Sequence, residues 1–301
     1  MKHYASKLLL FGEHIVVIGA RALAIPYPAF QGHWTFGPAD ASLQQSLPDF
    51  LSYLKTIDLE GLAFDLTAFE RDLSMGLFFE SNIPLGYGLG SSGALCAAVY
   101  DRYALSKIRR AEADRFDVLQ RQLARMEGFF HASSSGVDPL ICYVEKALLI
   151  QAGQRPAIVT FADKDMPANF FLLDTGISRK TGPLVALFLK KYAEKTFQLA
   201  VQQTLVPANE AAIEAILSGD KDGLWQHFRA ISYFQKAHFS EMIPPAYRSL
   251  WQKGLDQGDF TLKLCGAGGG GFLFGLAKDA KIIADLQATH SLYPKSKQPG
   301  W

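Results

Sequence analysis

Residues 84–93, PLGYGLGSSG, hold four glycines and two serines immediately before ALCAAVYDRYAL (94–105), whose small and apolar residues fall at helical spacing. Glycine loses more conformational freedom on folding than any other residue. Four of them at a helix start therefore imply positive φ angles or a very close neighbour. A second tract, CGAGGGGF (265–272), has five glycines in six positions, with strand-like FTLKLC before it and FLFGL after it. Flexible linkers share that composition, but rarely those flanks. Two such loops in one chain point to a polyanionic ligand approached from two sides.

Three phosphate-binding patterns compete for the first loop. The P-loop string GxxxxGK[ST] does not occur. Gly88, Gly90 and Gly93 satisfy GxGxxG literally, but no clear βαβ unit with a ribose-binding acid follows. The remaining pattern is a glycine cradle on a helix N-terminus, where free N–H groups and the helix dipole favour an anion. Ser91 and Ser92 then stand where hydroxyls cap the helix or meet a phosphate-bound cation. A tight turn with a serine N-cap would look the same in isolation. In MEGFFHASSSGVDPL (126–140), Glu127 and Asp138 lie eleven positions apart. Taken singly, Glu127 reads as a solvated helix carboxylate, Asp138 as a turn-former before Pro139 and His131 as a packed or capping histidine. Beside the glycine loops they make a phosphotransfer set. A carboxylate and a serine hydroxyl can hold Mg²⁺, a second carboxylate can orient or deprotonate an attacking hydroxyl, and Lys7 can stabilise charge beside it.

The rest of the chain reads as an ordinary soluble globular protein. Of its 301 residues 49% are apolar and 20% charged, with a net charge of +1. No basic excess or patch supports nucleic-acid binding. Cys96, Cys142 and Cys265 are far apart and form no CxxC, which fits buried free thiols in a reducing compartment. The first 25 residues are apolar but broken by Lys7, Glu13, His14 and Arg21, which suits neither a signal peptide nor a membrane span. A cytoplasmic location is expected.

KLLLFGEHIVVIG (7–19) predicts a strand–turn–strand, and residues 50–57, 68–75, 94–105 and 111–132 predict helices. Residues 77–86 predict a strand, residues 138–153 a loop and then a strand, and residues 154–176 two strands around a polar turn. From 183 to about 254 the chain reads as mainly helical, and residues 260–279 as two strands around the glycine tract. The tail YPKSKQPGW reads as exposed. A composition shift places a domain boundary near 165–175, giving expected domains at 1–168 and 169–301.

KLLLFGEHIVVIGARALA, PLGYGLGSSGAL and KLCGAGGGGF resemble, in order, the three signature motifs of the GHMP small-molecule kinases. The E-x10-D spacing in EGFFHASSSGVD and the block DTGISRKTGPLV (174–185) resemble the mevalonate kinases among them. The resemblance implies an α+β fold of two domains around a cleft, the first like a small-subunit ribosomal protein and the second a ferredoxin-like α+β sandwich. It implies ATP held by Pro84, Gly86, Gly88, Leu89, Gly90, Ser91, Ser92 and Gly93, with Gly268, Gly269 and Gly270 packing the third motif against that loop. It implies Mg²⁺ on Ser92 and Glu127, Asp138 as catalytic base or orienting group, and Lys7 in contact with Asp138 and the reacting hydroxyl. Glu13 and His14 would face the acceptor, and Thr175, Ser178, Arg179 and Thr181 would border its pocket. The implied partners are ATP and a small-molecule alcohol, with mevalonate converted to 5-phosphomevalonate. A homodimer is left open, and no membrane or nucleic-acid partner is implied. Phosphomevalonate, a sugar or an amino-alcohol are alternative acceptors, with Arg179 and Lys180 available to a phosphorylated one. A ligand sensor with lost chemistry is the alternative of a different class.

Overall fold

Strand β2 (Ala22–Phe36) is the spine of the first sheet. β1 (His3–Phe11) runs antiparallel along one edge, from His3 opposite His33 to Phe11 opposite Leu23. β3 (Leu77–Ser81) and β4 (Leu148–Ile150) share the other edge, pairing with 32–36 and 22–24, and β5 (Ala157–Ile158) extends from β4. Pro26 and Pro28 are tolerated inside β2: neither β3 nor β4 pairs with residues 25–31, Pro28 falls in a register shift against β1, and Lys7, opposite Pro26, sends its N–H to the Leu89 carbonyl instead. The chain is described here from a computed structural model, which covers residues 1–37, 46–59, 61–131, 134–162, 169–179 and 181–294, apart from the side chains of Thr181 and Pro294.

The helices of the first half are α1 (Ser46–Leu54), α2 (Leu66–Ser74), α3 (Ser91–Tyr103), α4 (Phe116–Glu127) and α5 (Val137–Val144). α4 buries Phe116, Leu119, Leu123 and Met126, one stripe at helical spacing. α3 is lined with Gly93, Ala94, Ala97 and Ala98, all buried, and these small residues let it lie close to α5 and the sheet.

The second sheet has the order β7-β8-β6-β9 and is antiparallel throughout: β6 (Phe170–Asp174), β7 (Phe260–Leu264), β8 (Phe272–Ala277) and β9 (Leu292–Pro294). Its helices are α6 (Thr181–Tyr192), α7 (Lys195–Ala200), α8 (Val206–Ser218), α9 (Lys221–His238), α10 (Arg248–Gln257) and α11 (Ala280–Gln287). α7 passes into α8 through a π turn, Val201–Leu205. Pro207, which has no N–H to return to the preceding turn, sits just after it. Aromatic contacts join the halves, with Phe11 6.1 Å from Phe228 and Phe30 5.8 Å from Phe272, centroid to centroid.

The α+β architecture follows the expectation, with local differences: the strand expected over 77–86 stops at Ser81. Residues 15–18 form a short 3₁₀ helix rather than a strand, and residues 137–144 form α5 rather than a loop. Pro139 lies in the first turn of α5, where an N–H has no helical acceptor in any case. The three cysteines are free and buried. No helix among the described residues is long and apolar enough to cross a membrane. Residues 163–168, within the polar turn expected between the two strands of 154–176, Lys180 and the tail from 295 on lie outside the described residues.

Candidate active site

The first glycine loop answers both demands its composition makes. Gly86, Gly88 and Gly90 take φ of 76°, 74° and 73°, a conformation that L side chains rarely adopt. The space is also filled. A Cβ on Gly86 would lie 2.4 Å from Ser178 Oγ, and one on Gly88 2.5 Å from a guanidinium nitrogen of Arg179. The Leu89 carbonyl accepts the Lys7 N–H at 3.0 Å, which pins the loop to β1. Gly90 caps α3, and Ala94 is the first residue to bond back to it, at 2.8 Å. The N–H groups of Ser91, Ser92 and Gly93 therefore have no intrahelical acceptor. A Cβ on Gly93 would meet the Asp138 carbonyl carbon and the Pro139 nitrogen at 2.9 Å. That glycine brings the N-termini of α3 and α5 together, so two positive helix ends converge on one place.

The charged groups gather there. Lys7 Nζ lies 3.0 Å from Asp138 Oδ1. Burial alone would lower the Lys7 ammonium, but the charge and hydrogen bond of Asp138 outweigh it and hold it above its usual range. Ser92 Oγ donates to Glu127 Oε1 at 2.9 Å, and Ser134 Oγ donates to Glu127 Oε2. Burial, with the nearby Asp138 charge, pushes the Glu127 carboxyl up to about 7, against the pull of the two serines. His131 Nε2 lies 3.2 Å from Ser92 Oγ.

The turn after β1 is unusual. Ile15 N–H bonds to the Glu13 carbonyl at 2.8 Å across His14, whose φ and ψ are 66° and −45°. This is the rare, strained γ-turn of positive φ. His14 is 5% exposed, its ring 5.3 Å from Phe188 and 5.1 Å from Phe239, and neither ring nitrogen has a hydrogen-bond partner. Burial pushes the imidazole down to about 4, against a weak pull from the Ala267 backbone and with the Arg179 and Lys263 charges acting in the same direction. Glu13 does not open onto the cleft. It is 5% exposed and bonds to the ammonium of Lys263, which is 0% exposed and also donates to the Leu264 carbonyl at 3.0 Å.

The segment after β6 ties the loops together. Thr175 Oγ1 donates to the Gly271 carbonyl at 2.6 Å, Gly271 N–H to the Ile177 carbonyl at 2.7 Å, and Arg179 N–H to the Gly86 carbonyl at 3.2 Å. The Thr175 hydroxyl is thus committed to the backbone, Ser178 stands over Gly86, and the Arg179 guanidinium spans Gly88 and Gly266 while donating to the Cys265 carbonyl at 3.4 Å. The Thr181 side chain lies outside the described residues. In the third motif, Gly268 abuts Met242, Gly269 abuts Leu184 and Gly270 abuts Ile177; the glycine in contact with the phosphate loop is Gly271, where a Cβ would lie 2.9 Å from the Tyr87 carbonyl oxygen. Lys7, Ser92, Glu127, Asp138 and Arg179 therefore gather around the first glycine loop.

Sequence reasoning passed over Lys263 and Ser134. Lys263 carried a legible signal, a lysine in the middle of the short apolar run FTLKL, which a buried strand accommodates only with an anion at hand.

Ser92 and Glu127 suit a hard cation, being an oxygen-only pair whose buried carboxyl is pushed upward by burial and by the Asp138 charge and would gain from a positive charge beside it. No group of three or more His, Cys, Asp or Glu among the described residues forms a metal cage. Such a pair suits Mg²⁺, which is commonly held by one or two protein oxygens with water and phosphates completing its shell.

Residues 59–146 match the family model described as "GHMP kinases N terminal domain". The chain is 26% identical over 285 residues to a mevalonate kinase of Archaeoglobus fulgidus, covering 91% of each, and 23% identical over 303 residues to one of Pyrococcus furiosus, covering 90% of this chain and 87% of that protein. Its fold resembles the crystal structure of L. major mevalonate kinase in complex with R-mevalonate, with a TM-score of 0.67, 18% identity and coverage of 98% and 96%.

Proposed function

We propose that this chain, which belongs to the GHMP kinase superfamily, is an ATP- and Mg²⁺-dependent kinase that phosphorylates the primary hydroxyl of mevalonate to give 5-phosphomevalonate. The observation that carries the reading is the meeting of the Lys7–Asp138 pair with the phosphate loop. A Cβ on Gly90 would lie 3.0 Å from Lys7 Cγ and 3.4 Å from Asp138 Oδ2. A proton acceptor and a cation thus stand beside the backbone on which the phosphates would rest. The mevalonate kinases among the relatives favour that acceptor.

In this reading the ATP phosphates lie on residues 86–93 and the free N–H groups of α3. The acceptor hydroxyl gives its proton to Asp138 as its oxygen bonds to the γ-phosphorus, the bond from that phosphorus to the β–γ bridging oxygen breaks, and ADP leaves. Lys7 holds the Asp138 carboxylate in place and brings positive charge to the developing alkoxide. Arg179 adds a second cation on the far side of Gly88. Ser92 and Glu127 would hold Mg²⁺, which when bound would neutralise charge on the phosphates. Residues 1–168 form the nucleotide-binding domain and 169–301 the second domain, in the cytoplasm; sedimentation of the purified chain tests for a homodimer.

The test is ADP release with Mg·ATP and a panel of mevalonate, phosphomevalonate, galactose and homoserine. Turnover on mevalonate, lost in Asp138→Asn while ATP still binds, is the expected result. Turnover only on another acceptor, or none with ATP bound, would refute the choice of acceptor. Absence of ATP binding would refute the phosphate cradle.

A further inference from the structure

The hydroxyl of Ser92 sits in a short chain of hydrogen bonds that reaches beyond the groups used so far. With Glu127 ionised, as cation binding requires, its two carboxylate oxygens can only accept. Ser92 therefore donates to Oε1 and Ser134 to Oε2. Each hydroxyl then has lone pairs to offer a donor. Ser134 receives the backbone N–H of Gly136 at 3.0 Å, a group that can do nothing but donate. Ser92 has His131 Nε2 in the equivalent place, at 3.2 Å. The carboxylate has taken the only Ser92 proton, so that nitrogen must carry a hydrogen. His131 Nε2–H donates to Ser92, and Ser92 donates to Glu127.

We infer that His131 is a positioning residue for the cation site, fixing the Ser92 hydroxyl by donating from Nε2 so that its remaining lone pair is presented to Mg²⁺. This rests on the kinase reading above. A serine hydroxyl turns freely about Cβ–Oγ, and a neutral hydroxyl is a weak metal ligand unless its lone pair is held in the right direction. A partner behind a ligand typically changes metal affinity by about 10- to 100-fold when removed. His131 is well placed to do this from the exposed rim. Its own backbone N–H bonds to the Glu127 carbonyl at 3.3 Å, so ligand and support belong to the same helix end and move together.

The isosteres separate this role from bulk or charge. The Gln amide nitrogen reproduces Nε2, and that of Asn reproduces Nδ1. Mn²⁺ is the probe, its affinity measured for the full chain saturated with a non-hydrolysable ATP analogue, and nucleotide affinity is measured separately in EDTA. His131→Leu and His131→Asn are expected to weaken Mn²⁺ binding by about tenfold or more, and His131→Gln to stay within about twofold of the parent. Nucleotide affinity in EDTA is expected to be equal in all of them, as is the melting temperature. Unchanged Mn²⁺ affinity in His131→Leu, or equal losses in the Gln and Leu variants, would overturn the inference. A loss of nucleotide affinity in EDTA would overturn it in favour of direct phosphate contact. If the parent protein binds nucleotide but no Mn²⁺, the cation site itself fails and this inference with it. If the parent binds Mn²⁺ and the variants do not differ from it, only this inference fails.

Discussion

Lys263→Met should destabilise the chain far more than an ordinary surface change. The side chain is 0% exposed, its ammonium bonds to Glu13 and to the Leu264 carbonyl, and the rings of Phe11 and Phe274 lie 5.8 and 5.3 Å from it. Methionine fills the same volume but leaves the Glu13 carboxylate, 5% exposed, without its cation. Removing one partner of such a pair costs about 3–5 kcal/mol, whereas replacing both with neutral groups is often close to neutral. Burial already pushes the Glu13 carboxyl upward, so its protonation limits the damage and the lower end, about 3 kcal/mol, is expected. The assay is urea unfolding, followed by far-UV circular dichroism, of the parent, Glu13→Gln, Lys263→Met and the double variant. The coupling should be at least ~1.5 kcal/mol, within the span seen for contacting groups. The sign with pH is fixed as well. Without Lys263 the folded-state pKa of Glu13 lies above its unfolded value, so the variant keeps most stability below that unfolded value and loses it as pH rises through the folded one. Its deficit should grow as pH rises from the unfolded value of Glu13 through the folded one. A loss below ~1 kcal/mol, additivity in the cycle, or a deficit that is flat with pH would refute the argument.

Three further outcomes follow from burial and local geometry. The His14 imidazole is held down to about 4 by burial, so the folded protein resists a proton that the unfolded chain accepts near 6.5. Stability should therefore fall by about 2.5 kcal/mol between pH 7 and pH 4.5 from this residue alone, and urea unfolding of His14→Asn, which tolerates positive φ, should lack that component; parallel pH profiles would contradict it. Gly88→Ala meets both a φ of 74° and Arg179 at 2.5 Å, and should weaken ATP binding at least about tenfold. Gly19→Ala, at φ 96° with nothing within 4 Å, should cost only about 1 kcal/mol of backbone strain and leave ATP affinity intact, as isothermal titration would show.

What could be read in the chain beforehand is what local chemistry dictates. The loop at 84–93 was legible because glycine and serine state their backbone requirement, and Gly86, Gly88 and Gly90 do take positive φ. The two strands flanking the second glycine tract, β7 and β8, were legible from their apolar runs, but not that they pair with each other. Helix α5 was not, because Asp-Pro signals a turn as strongly as it signals a first helical turn. Ile15 and its neighbours favour strand by composition, yet the γ-turn at His14 and the left-handed Gly19 wind them into 3₁₀. The Glu13–Lys263 bond spans 250 positions, and no window of sequence contains both ends. Nor could spacing decide that Gly271, rather than the three glycines before it, would touch Tyr87.

The stretch from Gly12 to Arg21 belongs to the first sheet by connectivity, but much of its bonding is to the second half. Glu13 is held by β7, and Arg21 is gripped by Glu210, Glu214 and Asn209 of α8. Modularity in this protein therefore does not follow the chain. A chimera built by joining residues 1–168 to the second half of a distant relative would import a carboxylate and a guanidinium with no sockets waiting for them. One that exchanged residues 12–21 along with the second half would keep the matching set. Recombination, natural or engineered, should find its tolerated crossover on either side of that ten-residue stretch as well as between the sheets.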